Sequence, residues 1–131
     1  MQLNPPDWVL IACPMRARVL QRRQGESYTV LESFVHPAGR GVPQPALLDE
    51  RQKPYTRFAQ ELAQYLEAEA RQDHFASLVL IAPMPFLDDL RAALGRCASA
   101  LVKGMSERDL TVCGIAELGR QVDRELELAA H

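Results

Sequence analysis

Eleven residues, Phe34 to Gln44, bring together side chains that could do chemistry: "FVHPAGRGVPQ". His36 titrates near neutrality and suits a general base. Arg40 suits an anion contact, and the Gln44 amide suits the positioning of a water or a carbonyl. Together they describe a loop acting on an ester or a phosphodiester. The plainer account is that His36 ends a strand and hydrogen-bonds to backbone, while the glycines and prolines turn the chain. No Ser or Cys nucleophile is identifiable as a partner for His36, which weighs toward the plainer account.

A second set is basic. Arg16, Arg18, Arg22 and Arg23 fall on one predicted hairpin, and Arg40, Arg51, Lys53 and Arg57 follow in the loop and helix start after it. Residues 16–57 hold eight Lys/Arg against four Asp/Glu, whereas residues 58–131 hold seven against twelve. Such a surface could face phosphate. Tyr28 and Tyr55 are the nearby aromatics, too few for a base-stacking platform. The competing account, of equal weight, is a hairpin edge kept soluble by its charges. The candidate binding residues are therefore Arg16, Arg18, Arg22, Arg23, His36, Arg40, Gln44 and Arg57.

The remaining candidates read as structural. Cys13, Cys97 and Cys113 form no CxxC or Cys/His pattern, so reduced, buried thiols are expected. Cys13, at a strand end near Arg16 and Arg18, is the one that could be activated. Two-metal nuclease chemistry needs carboxylates converging from strand ends. Asp7, Glu32 and Asp109 do not make a convincing set, and Asp7 is expected to precede its strand. Asp88 and Asp89 suit the N-terminus of a helix, and Asp109 suits a cap or turn. His74 falls in a polar linker. No catalytic set, metal site or cofactor site is expected.

The elements that would position these residues are legible from periodicity. "WVLIA" (8–12) is a continuous apolar run, as in a strand covered on both faces, and Pro14 ends it. "ARVL" (17–20) and "YTVLESFV" (28–35) follow at short spacing, so an antiparallel three-strand meander is expected, turning at Gly25. The segment 36–54 holds four of the nine prolines and breaks the pattern. After it, Phe58, Ala59, Leu62, Ala63, Tyr65 and Leu66 mark one face of an amphipathic helix. "SLVLIA" (77–82) reads as a buried strand that must lie parallel to "WVLIA", because a helix separates them. A helix starts at Pro85, with Gly95 as its end unless "RCASA" extends it. "ALVKGM" (100–105) reads as a short edge strand. Ile115, Leu118, Val122 and Leu126 mark a last helix, with Gly119 permitting a close approach. The order β-β-β-α-β-α-β-α implies a three-layer α/β fold on a mixed sheet, of ribonuclease-H-like type.

Six stretches in this order, "WVLIA", "RARVL", "LESFVHPAGR", "RFAQELAQYL", "LVLIAPMPFLDDLRAALG" and "ERDLT", resemble the bacterial host attachment protein family, from about Trp8 to Val122. That family is similar in turn to the middle domain of archaeal and eukaryotic peptide-chain release factors. The resemblance implies the same fold and a role connected with attachment to host cells. In release factors the loop after the third strand carries a Gly-Gly-Gln tip, and an Arg-Phe pair opens the next helix. This chain has Gly39-Arg40-Gly41-Val42-Pro43-Gln44 and Arg57-Phe58 in those places. Pro43 has no N–H and a fixed φ, and Val42 replaces a glycine, so peptidyl-tRNA hydrolysis is not implied. Family members often carry an aspartate where this chain has Cys13, a further departure from metal-dependent chemistry.

Size and composition exclude several classes. The chain has 131 residues, 47% of them hydrophobic, enough for one domain with one core. A net charge of -2 argues against a protein that coats nucleic acid. "MQLNPPDW" lacks the basic and apolar regions of a signal peptide, and no apolar run is long enough to insert in a membrane. The expectation is a cytoplasmic, non-enzymatic module without a cofactor, binding RNA, the ribosome or a protein. A hydrolase acting through the 36–54 loop is the alternative. A homodimer is also open, with the last helix and the short strand after Ala100 as its candidate elements.

Overall fold

The computed structural model describes residues 5–23, 27–35 and 53–129. The elements are β1 (Asp7–Cys13), β2 (Arg16–Arg22), β3 (Thr29–Val35), α1 (Lys53–Arg71), β4 (Ser77–Ile81), α2 (Phe86–Ala93), α3 (Arg96–Leu101), β5 (Val102–Ser106) and α4 (Ile115–Ala129). They form a five-stranded mixed sheet of order β3-β2-β1-β4-β5. β1 pairs antiparallel with β2 and parallel with β4, β3 is antiparallel to β2, and β5 is parallel to β4. The expected meander and the parallel β1–β4 crossover are both present.

β1 is central because it is apolar on both faces, and each face feeds a different layer. Trp8, Leu10 and Ala12 join Ala17, Val19, Leu78 and Leu80 beneath α1, α2 and α3, against Phe58, Leu62, Leu66, Phe86 and Leu90. The ring of Trp8 stacks on Phe75 at 4.6 Å and on Tyr65 at 6.1 Å, and Phe34 meets Tyr65 edge-on at 5.1 Å. Val9 and Ile11 point the other way and join Leu20, Val79 and Ile81 beneath Leu118 and Val122 of α4. The alternation of β1 thus produces the α/β/α layering directly. Each fully buried Leu or Phe in these clusters contributes about 1.5–3 kcal/mol.

Four details differ from the sequence expectation. Asp7 lies inside β1 as its first residue and accepts a 2.6 Å hydrogen bond from the Ser77 hydroxyl, so that it fastens β1 to β4. α1 begins at Lys53, inside the expected break. Pro54 falls in its first turn, where a missing N–H leaves no partner unsatisfied. Cys97 is exposed and Cys113 half-buried, so Cys13 alone is the expected buried thiol. The helix from Pro85 ends beside Gly95 as expected, but "RCASA" then forms a separate helix, α3, because Leu94 and Gly95 are extended, with ψ of 138° and 177°.

The break between α2 and α3 has a cause on a neighbouring element. Glu67 of α1 accepts hydrogen bonds from the backbone N–H of Ala98 at 2.9 Å and of Cys97 at 3.3 Å, and Arg71 Nε donates to it at 3.0 Å. A carboxylate from α1 therefore caps the N-terminus of α3, a role usually taken by a residue of the capped helix itself. A Cβ at Gly95 would lie 2.4 Å from the Glu67 carboxyl carbon, so only glycine leaves room for this cap. Gly95→Ala and Glu67→Gln are each expected to lower the thermal midpoint. Because both disrupt one contact, the double variant should lose less than the sum of the two, and a double-mutant cycle followed by circular dichroism checks this.

Candidate functional site

β2 alternates strictly. Ala17 and Val19 enter the core beneath α1, which turns Arg16, Arg18, Leu20 and Arg22 toward the α4 side. Three guanidiniums therefore stand on one face of one strand, interrupted only by Leu20. Arg22 Nη1 donates to Asp123 Oδ1 of α4 at 2.9 Å, and its guanidinium lies 4.5 Å above the Tyr28 ring. The Tyr28 hydroxyl donates to the same oxygen at 3.0 Å. Burial raises the pKa of that hydroxyl above the usual phenol value, Arg22 works against the rise, and the bond to Asp123 adds to it. Arg18 Nη1 reaches the Cys113 carbonyl at 3.5 Å, and Arg16 is exposed where β2 begins. Among the described residues, Asp123 is the one carboxylate hydrogen-bonded to Arg16, Arg18 or Arg22.

α4 is fitted closely to this face. Gly119 lies against Tyr28, whose Cδ2 would be 3.3 Å from a Cβ there, which is the close approach the sequence suggests. On its other flank α4 carries Glu125, a buried carboxylate that the sequence reading missed. It accepts hydrogen bonds from the Ser106 hydroxyl at 2.5 Å and from Arg108 Nε at 2.8 Å, joining α4 to the end of β5. The Ser106 hydroxyl and then Arg108 hold its carboxyl below the usual carboxylate range, against the opposing effect of burial. A signal was present: Leu118, Val122 and Glu125 follow at helical spacing, which puts a carboxylate on an apolar stripe.

The other candidates are dispersed. Arg57 is exposed on α1, which packs on the opposite face of the sheet from Arg16, Arg18 and Arg22. Arg23 is half-buried just past β2 and has partners of its own. His36, Arg40 and Gln44 lie outside the described residues, as do Arg51 and the Gly25 turn. Asp109 is a turn residue: its carboxylate accepts from the Thr111 N–H at 2.9 Å and from the Thr111 hydroxyl. Asp88 and Asp89 occupy the first turn of α2, and Asp88 sits 3.7 Å from Arg91. His74 is exposed and paired with Glu69. Tyr65, pushed up to about 12, owes this first to burial and then to the charges of Glu69 and Glu32. Among the described residues, no three His, Cys, Asp or Glu side chains are placed to share a metal ion, and no helix is long and apolar enough to cross a membrane.

The arrangement is a guanidinium row with, among the described residues, one hydrogen-bonded counter-ion, Asp123. A profile built on proteins required for attachment to host cells matches residues 48–122, more than half of the chain. The chain belongs to that family. The match of this attachment-family chain covers the stretch from before α1 into α4, and leaves β1, β2 and β3 outside. No curated protein sequence matches. Among solved structures, an archaeal translation termination factor matches with a TM-score of 0.54 at 11% identity. That match covers 95% of this chain and 40% of the factor. A second structure, described only as an archaeal protein, gives 0.56 at 11% identity, covering 95% and 39%. The chain therefore spans about two-fifths of either structure and shares with them a fold of the release-factor type.

Glu125→Gln tests the α4 clamp. Its expected cost is about 1 kcal/mol at neutral pH, the lower part of the range for charge-assisted bonds because Arg108 is half in water. Glu125 and Glu67 both have folded-state pKa values below the unfolded one of about 4.3. Their stabilisation is therefore complete above that value and is lost as pH falls through the folded values. Urea unfolding at about pH 7 and again below about pH 4 should show the gap between the wild-type chain and Glu125→Gln closing on acidification.

Proposed function

We propose that this chain is a non-enzymatic interaction module that uses the guanidinium row of β2 to contact an anionic partner, the RNA of the translating ribosome. The row itself carries the reading. Arg16, Arg18 and Arg22 share one strand face, and a single carboxylate among the described residues answers them. Guanidiniums at the two-residue period of a strand, about 6.5–7 Å apart, suit the phosphates of an extended or helical backbone. Two findings support the choice of partner without deciding it. A family defined by attachment to host cells implies a binding partner. The fold is shared with a translation termination factor, which makes the ribosome the first partner to test.

The three arginines differ in what their loss reports. Arg22 also holds Asp123 and covers Tyr28, so removing it disturbs the seating of α4. Arg16 is exposed, and Arg18 makes one long contact to a carbonyl, so these two report on binding. The chain is expected to co-sediment with ribosomes at low salt and to be released as salt rises. In a matched titration against ribosomal RNA, Arg16→Ala/Arg18→Ala should lower the slope of log affinity on log salt by about 1 for each arginine removed. A slope unchanged by the two substitutions, or no association at low salt, removes this reading and directs the search to a protein partner.

A further inference from the structure

β3 is an edge strand, and among the described residues nothing pairs with its outer side. Its composition is unusual for an edge left to water. Glu32 is its single charged residue, it contains no proline or lysine, and Leu31 and Val35 are 37% and 39% exposed. The opposite edge, β5, is shorter and carries Lys103, a common guard against unwanted strand pairing. The β2–β3 register steps from Val19↔Glu32 to Leu20↔Val30, which makes Leu31 the extra residue of a bulge. The edge from the bulge to the end of the strand is thus Leu31 to Val35, with Ser33 at its centre.

We infer that β3 pairs antiparallel with β3 of a second copy of this chain, about a two-fold axis at Ser33. The segment is self-complementary there. Leu31 of each copy falls opposite Val35 of the other, so the two exposed apolar side chains of the edge cover one another twice. Ser33 meets its own symmetry mate. Charge selects this register: an axis at Glu32 would set two carboxylates directly opposite, whereas an axis at Ser33 sets each Glu32 against the Phe34 position. A second copy is the occupant that this palindromic spacing fits.

The two-fold axis runs perpendicular to the sheet and leaves both copies with the same face on the same side. Two five-stranded sheets become one of ten strands, and the two β2 arginine rows flank the joint on one face. Three strand spacings separate them, about 14 Å. The inference stands on β3 alone and does not rest on the ribosome reading, but it would double the basic surface offered to any anionic partner. Five residues from each copy bury less than a standard interface, so the dissociation constant should lie between about 10 µM and 1 mM.

Sedimentation equilibrium of the full chain up to about 1 mM tests this, with circular dichroism confirming that each variant folds. The wild-type mass should approach twice the monomer mass as concentration rises. Leu31→Lys/Val35→Lys places lysine opposite lysine and should leave a folded monomer throughout. Leu31→Lys/Val35→Glu places lysine opposite glutamate twice in the same register and should restore the dimer. A wild-type chain that stays monomeric, a dimer that survives the lysine pair, or failure of the lysine–glutamate pair to restore association each overturns the inference.

Discussion

Among the described residues, one face of the sheet has a single helix to cover it, and this constraint shapes much of the molecule. The opposite face is roofed by α1, α2 and α3, whose apolar side chains suffice to hold them down. Among the described side chains of α4, Leu118 and Val122 make the apolar contact with the sheet. Polar contacts on both flanks of the helix add to the restraint that these two residues provide. Asp123 ties one flank to Arg22 and Tyr28, and Glu125 ties the other to Ser106 and Arg108. Gly119 lets the helix sit close enough to Tyr28 for these bonds to form.

The same constraint divides the arginines of β2 between two tasks. A strand residue turned toward α4 must either pack beneath the helix or reach past it to water. Leu20 packs, and Arg22 is drawn into the clamp. Arg18 borrows the carbonyl of Cys113 from the segment leading into α4, and Arg16 is exposed. A guanidinium already matched to a carboxylate has less to offer a phosphate, because exchanging partners returns only the difference between two similar interactions. The proposed anion contact would therefore fall toward the Cys13–Arg16 turn, where β1 ends and β2 begins.

Much of this architecture was legible in the sequence, because it depends on local period. "WVLIA" and "SLVLIA" have no polar side to place outward, which makes them inner strands, and the helix between them forces a parallel pairing. The apolar spacing of α1 and α4 likewise announces which faces are buried. What escaped depends on contacts between elements distant in the chain. Gly95 marks the end of α2 in the sequence, but nothing near it indicates that the Glu67 carboxylate occupies the space a side chain would need, so the separate, capped helix α3 could not be read locally. The arginines showed the same limit. Their number and charge excess were plain, but period alone could not say that Arg57 rides on a helix across the sheet from Arg16. For Glu125 the signal was present, a carboxylate on the stripe of Leu118 and Val122. Its partner Ser106 lies nineteen residues earlier, and only the fold brings the two together.

The family match gives these contacts a further meaning. Residues 48–122 contribute β4 and β5 to the sheet and α1, α2 and α3 to one layer, but they do not make a closed core. Trp8, Leu10 and Ala12 of β1 fill the space beneath α1, and β4 needs β1 along its length for its parallel ladder. The matched segment also ends at Val122, just before Asp123 and Glu125, the two carboxylates that seat α4. The hairpin of β1 and β2 thus completes the core beneath the matched segment while lying, with β3, outside the match. This hairpin and β3 also carry the guanidinium row and the sheet edge that no described residue pairs with. Structural dependence and surface chemistry meet on β2: its inward residues complete a core begun by the matched segment, and its outward residues are what a partner would touch. Substitutions on β2 therefore separate binding from folding only when they alter the exposed row and leave Ala17, Val19 and Leu20 in place.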